Sequence, residues 1–192
     1  MNKFLIVGLG NVGAEYAHTR HNIGFDVVHA FVHKHGCTFS TERLVYKAEV
    51  KWKGRAFICI CPTTYMNRSG LAVRYWKDKE KVETENILVV LDDLALPLQT
   101  LRLKPLGSDG GHNGLKDIQV ALETTAYPRL RFGIGNNFPK GLQSDYVLGK
   151  WAKEEEPLVK TKIEKCINII EKFSTIGISA TMTEVNKIDF SL

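Results

Sequence analysis

The chain has 192 residues, 44% of them hydrophobic, with 26 basic and 21 acidic side chains, a net charge of +5 and a pI near 9.0. That length and composition fit one compact globular domain, residues 1–192, which can bury a continuous core and needs no disulfide or metal staple. The basic balance suits a polyanionic partner, but an ordinary basic housekeeping protein carries the same charge.

Phe4-Leu5-Ile6-Val7, ended by Gly8, reads as a strand buried on both faces. It is too short for a signal peptide, and no later stretch approaches a membrane span, so a cytoplasmic location with no membrane partner is expected. Residues 8–22 form a polar, glycine-bearing loop. Ile23, Val27, Val28 and Phe31 then fall at helical spacing, with Gly36 at the C-terminal cap. Residues 44–52 alternate, turn at Lys53-Gly54 and return over residues 56–61 as a hairpin. Pro62 breaks that strand, and residues 67–79 follow as a helix.

Residues 87–91 are a further buried strand that stops at Asp92-Asp93, and residues 99–104 alternate through Leu101 and Leu103. A glycine-rich loop over residues 106–114 opens into a helix at 115–123. Residues 129–134 are a strand, and a charged amphipathic helix begins at about residue 154. Strands alternate with helices, and two hairpin-like pairings interrupt the order. That pattern predicts a three-layer α/β/α fold around a twisted mixed sheet.

The four cysteines, Cys37, Cys59, Cys61 and Cys166, lack the spacing of a zinc or redox motif and read as reduced apolar residues. Gly8-Leu9-Gly10-Asn11-Val12-Gly13 matches the dinucleotide fingerprint, yet the polar run Thr19 to Asn22 interrupts the helix such a site needs. The acid that would hold a ribose is also missing. The glycines therefore read as a tight turn that brings backbone close to a ligand, and no cofactor is expected.

In open α/β sheets ligands bind beyond the carboxyl ends of the strands. Asn11, Tyr16, His21-Asn22, Met66-Asn67, Asp92-Asp93 and His112-Asn113 all fall there. A histidine can take a proton from water, a carboxylate can fix its tautomer, and asparagine amides can stabilise an oxyanion. No serine sits in a nucleophile elbow and no metal-ligand spacing appears, so water is the expected nucleophile and no metal is expected. Each residue also has a structural alternative. His21 can be an idle helix-start residue, Asn22 and Asn67 can be N-caps, and Asp92 can cap a turn. The residues alone leave a hydrolase and a binding module both open.

The stretches IVGLGNVGAEYAHTRHNIG (6–24), PTTYMNRSG (62–70), GGHNGLKD (110–117), RLRFGIG (129–135) and YVLG (146–149) occur in that order. In this the chain resembles bacterial-type peptidyl-tRNA hydrolases over nearly its whole length. The resemblance implies a monomeric, metal-independent esterase that needs no obligate protein partner and acts on peptidyl-tRNA. It implies His21 as the base that activates water and Asp92 as the group that orients it. Asn11 and Asn113 would hold substrate near the ester, with Asn67 and Met66 lining the peptide cleft. Tyr16 would pack beside the 3′ end and His112 would support the asparagine loop. Arg102, Lys104, Arg129 and Arg131 would meet tRNA phosphates, which position without reading sequence. The chain departs from the family pattern at Ala95, where a further acid is common, and at Asp109, whose extra anion would repel tRNA slightly.

Overall fold

A computed structural model describes residues 1–191. Seven strands form one sheet: β1 (Asn2–Gly8), β2 (Ser40–Glu42), β3 (Val45–Trp52), β4 (Arg55–Pro62), β5 (Ile87–Asp93), β6 (Leu101–Lys104) and β7 (Arg129–Gly133), in spatial order β2-β3-β4-β1-β5-β7-β6. The central strands β4, β1, β5 and β7 run parallel, while β2, β3 and β6 add antiparallel pairings at the edges. From β1 the chain passes to the β4 side, and from β5 it passes to the β7 side. The crevice beyond the ends of β1 and β5 is therefore the topological switch point where ligands collect.

Among the described residues, five α-helices surround the sheet: α1 (Ile23–Lys34), α2 (Ser69–Glu80), α3 (Asn113–Leu122), α4 (Gln143–Val147) and α5 (Glu156–Val185). Side chains of a strand alternate between its faces, so β1 sends Phe4 and Ile6 into one core and Leu5 and Val7 into another. The first core packs against Val27, Val28 and Phe31 of α1 and Ile169, Ile170 and Phe173 of α5. The second packs against Val73 and Trp76 of α2 and Leu115 and Ile118 of α3. The expected three layers and mixed sheet are present. Among the described residues no helix is long and apolar enough to cross a membrane.

The glycine fingerprint serves packing. A Cβ on Gly24 would lie 2.4 Å from Leu9 N and 2.4 Å from Val90 O, and one on Gly8 would lie 2.3 Å from Gly24 O. Helix α1 thus starts in backbone contact with the sheet, and the close approach expected of these glycines is to α1 itself.

Several boundaries and two short elements differ from expectation. Helix α3 begins at Asn113 because the His112 ring caps it. Helix α5 runs on to Val185, interrupted at Gly177 (φ 82°, ψ 173°), a left-handed conformation that glycine alone adopts readily and that periodicity does not reveal. The edge strand β2 and the five-residue α4 have no hydrophobic period that sequence reading can detect.

Helix α5 is pinned to the sheet by Lys162, which is fully buried. Its Nζ donates to the carbonyls of Leu98 and Gly133 and lies 3.8 Å from the Phe132 ring centroid. Burial pushes this ammonium down to about 7.

Candidate active site

The loop after β1 is fixed by its own amides. Leu9 N donates to Val90 O at 3.0 Å, which carries the chain alongside β5. Asn11 N donates to Asn22 Oδ1 and Asn22 Nδ2 donates to Asn11 O, both at 2.9 Å. Asn22 is therefore a clamp on Asn11 and makes no side-chain cap on α1. Asn11 Oδ1 in turn accepts from Met66 N at 2.8 Å, which joins this loop to the one after β4. With its oxygen engaged, Asn11 has only its NH₂ donors to offer the cleft.

His21 sits in a single 3₁₀ turn, Arg20–Asn22, just ahead of α1. Its Nδ1 is 2.9 Å from Asp92 Oδ2, and His112 Nε2 is 2.9 Å from Asp92 Oδ1. The two imidazoles stand 5.2 Å apart, centroid to centroid, with the carboxylate between them. Asp92 is 3% exposed. Burial alone would raise its pKa, but the two imidazoles it faces, His112 first and then His21, override that and hold it at about 2.

Proton positions follow from the neighbours. His112 Nδ1 accepts from Gly114 N at 3.1 Å and Leu115 N at 3.4 Å. An amide N–H can only donate, so Nδ1 carries no proton, and the neutral ring must carry it on Nε2 and donate to Asp92. An ionised carboxylate can only accept, so His21 Nδ1–H donates to the other oxygen. That leaves His21 Nε2 with a free lone pair.

His21, Asp92 and His112 have potential ligand atoms within 4.8 Å of one another, near enough to suggest a metal. The tautomers argue against it. A metal on His112 Nε2 would drive the ring proton to Nδ1, where two backbone N–H groups already point. The trio fits proton transfer better than ligation.

A cleft of about 970 Å³ opens over this group. The structure brings Asn11, Met66, Asn67 and Asn113 to its walls together with His21, Asp92 and His112, and Tyr16 lies outside that lining. Tyr65, 61% exposed, and Phe138 also line the cleft, and sequence reading named neither. An aromatic residue in a loop carries no signal until the loop is placed.

The basic residues divide into two groups. Arg102, Lys104 and Arg131 line a shallow groove of about 480 Å³ between β6 and the end of α5, and Lys104 and Arg131 also reach the cleft. Arg129 is different. It too borders the cleft, but it is 1% exposed and spends its donors on the carbonyls of Ser108, Thr125 and Tyr127, so it braces the glycine-rich loop and has little left for a phosphate. Asp109 is likewise committed, since its carboxylate accepts from Gly111 N at 2.8 Å and Gln119 Nε2 at 3.0 Å. Beside Ala95, the acid of this region is Asp93, which accepts from Ala95 N and pairs with Arg131.

The sequence profile of the peptidyl-tRNA hydrolase family matches residues 5–191. The peptidyl-tRNA hydrolase of Parabacteroides distasonis is 53% identical over 184 residues, covering 96% of this chain and 98% of that protein. That of Cytophaga hutchinsonii is 50% identical over 96% of this chain and 98% of its own length. The crystal structure of peptidyl-tRNA hydrolase from Acinetobacter baumannii superposes with a TM-score of 0.93 at 34% identity, covering 99% of this chain and 97% of that one. With matches spanning the described cleft, both cores and all seven strands, this chain belongs to the peptidyl-tRNA hydrolase family.

Proposed function

We propose that this chain hydrolyses the ester between a peptide, or an N-blocked amino acid, and the 3′-terminal ribose of tRNA, and so returns stranded tRNA to use. Membership of the family carries the reaction. The observation that supports its chemistry is His21 Nε2, left as a free lone pair by the Asp92 contact at Nδ1.

Water held at Nε2 loses its proton to the imidazole as it attacks the ester carbonyl, and the Asp92 carboxylate stabilises the imidazolium that forms. The Asn11 NH₂ and the amide of Asn113, both on the cleft wall, would donate to the developing oxyanion. The imidazolium then protonates the departing ribose oxygen. Water is favoured as nucleophile because, among the described residues, the hydroxyls of the cleft serines Ser108 and Ser144 bond neither imidazole, and three of the four thiols are buried in the core. Met66 and Asn67 would receive the peptide, and Tyr65 offers it an aromatic face. Arg102, Lys104 and Arg131 would take tRNA phosphates along the groove beside β6. We place the protein in the cytoplasm, as a monomer without an obligate partner, where its substrate arises.

Hydrolysis in heavy-oxygen water tests the chemistry. The label should enter the carboxylate of the released peptide, and no acyl group should be found on the protein by quenched mass spectrometry. An acyl adduct on a side chain would contradict direct attack by water.

A further inference from the structure

We infer that Arg20 is a positioning residue for the reaction: its buried guanidinium fixes the turn carrying His21 to the cleft wall built by α4 and the segment leading into α5. The reading rests on His21 being the base.

The backbone of Arg20 donates to Gly149 O at 3.0 Å, and Thr19 bridges to Lys150. Its Nη1 donates to Lys150 O at 2.9 Å and Tyr146 O at 3.4 Å, and its Nη2 meets Glu155 Oε2 at 2.9 Å. The guanidinium carbon lies 4.3 Å from the Tyr146 ring centroid and 5.3 Å from that of Trp151. Glu155 is itself held by Ala152 N at 2.8 Å, and Tyr146 Oη donates to Ile134 O at 2.6 Å. One side chain therefore gathers the ten-residue stretch 146–155, whose Val147 and Leu148 line the cleft together with the preceding Gln143 and Ser144.

Such burial of a cation is costly, and apolar packing would hold a helix end as well. What arginine adds is a planar fork that addresses three acceptors and lies against two rings at once. The turn has three residues, and its two flanks are anchored in different places: Arg20 to the α4–α5 segment, and Asn22 to Asn11. His21 lies between them, and among the described residues Asp92 is its one side-chain hydrogen-bond partner. If the Arg20 anchor is released, the backbone of His21 is free to shift relative to both Asp92 and the wall against which the ester must rest. A displacement of that order in a reacting geometry costs up to about a hundredfold in rate.

Phosphate contacts supply most of the affinity for a nucleic acid, and the Arg20 guanidinium is taken up by Lys150, Tyr146 and Glu155, so the loss should fall on kcat. We expect Arg20→Lys to lower kcat roughly ten- to a hundredfold with KM within about threefold, and Glu155→Gln to lower it less. The His21 ring resonances should shift or broaden in both variants, while those of the distant His33 stay in place. In Arg20→Ala, millimolar guanidinium should restore turnover saturably, and methylammonium should not. Circular dichroism and the melting temperature confirm that each variant is folded. Unchanged kcat in Arg20→Lys, a lost kcat with unmoved His21 resonances, or equal rescue by both cations would each overturn the assignment. Turnover that survives His21→Ala would instead sink the base assignment, and the resonance shifts would still report on the anchor.

Discussion

Asp92 Oδ1 lies 2.9 Å from His112 Nε2, and this contact, more than the one to His21, decides how the site can be protonated. The backbone donors of Gly114 and Leu115 lock the His112 proton onto Nε2. One carboxylate oxygen is thereby committed, and the other is available to orient His21.

Asp92→Asn should therefore do more than remove a charge. The Asn oxygen would turn to the fixed His112 donor, its NH₂ would face His21 Nδ1, and the His21 proton would move to Nε2, where the base is needed. A wrong tautomer of this kind costs roughly 10³- to 10⁴-fold in kcat. Steady-state kinetics on N-acetylated aminoacyl-tRNA should show that loss with KM little changed, and a loss below tenfold would mean that Asp92 does not set the tautomer.

Asn11→Asp is the corresponding test of the proposed oxyanion donor. Its oxygen already accepts from Met66 N, so the substitution keeps that bond and replaces the outward NH₂ with a carboxylate oxygen. We expect kcat to fall about 10²- to 10³-fold, the usual effect of removing one such donor. If Asn11→Asp kept its rate, Asn11 would be a loop tie alone.

Lys162→Met tests the pin beneath α5. It leaves the Leu98 and Gly133 carbonyls without their donor, and we expect a net loss of about 1–3 kcal/mol at neutral pH by denaturant titration. The pH dependence has a definite sign. Below about pH 7 the lysine is charged both folded and unfolded. Above it the folded chain holds Lys162 neutral, while the unfolded chain keeps the proton up to its ordinary value of 10.5. Unfolding then takes up a proton, and this contribution to stability rises with pH. The gap between wild type and variant should widen from about pH 7 to pH 9. A constant gap would show that Lys162 stays charged when buried.

Phosphate binding should separate the basic residues. Lys104 is exposed in the groove beside β6, so Lys104→Ala should weaken tRNA binding and reduce its salt slope by about one. Arg129→Ala should lower the melting temperature and leave the salt slope as it was, because Arg129 is occupied by three carbonyls. If the Arg129 variant lost slope and Lys104→Ala did not, the tRNA would lie on a different path.

The layers and mixed sheet were legible because strands such as Phe4 to Val7 and Ile87 to Leu91 carry unbroken apolar runs, while α1 shows a clean helical period. The polar site residues were legible as residues at strand ends. What escaped was each residue's partner. Asn22 reads as a helix cap because an amide before an apolar period usually is one, yet its amide clamps Asn11 across eleven positions. The resemblance puts Arg129 among the cations that would meet tRNA phosphates, and only the folded loop shows three carbonyls converging on it. His112 capping α3 had no sequence signal, since histidine is not a preferred cap residue.

The most direct measurement is release of N-acetylated amino acid from labelled tRNA by wild type and by His21→Ala, side by side with EDTA present, with tRNA binding measured on both. We expect rapid release by wild type, release reduced by several orders of magnitude in the variant, and binding retained by both. Release by His21→Ala at a rate near wild type, or by wild type only when metal is restored, would contradict a histidine-dependent attack by water.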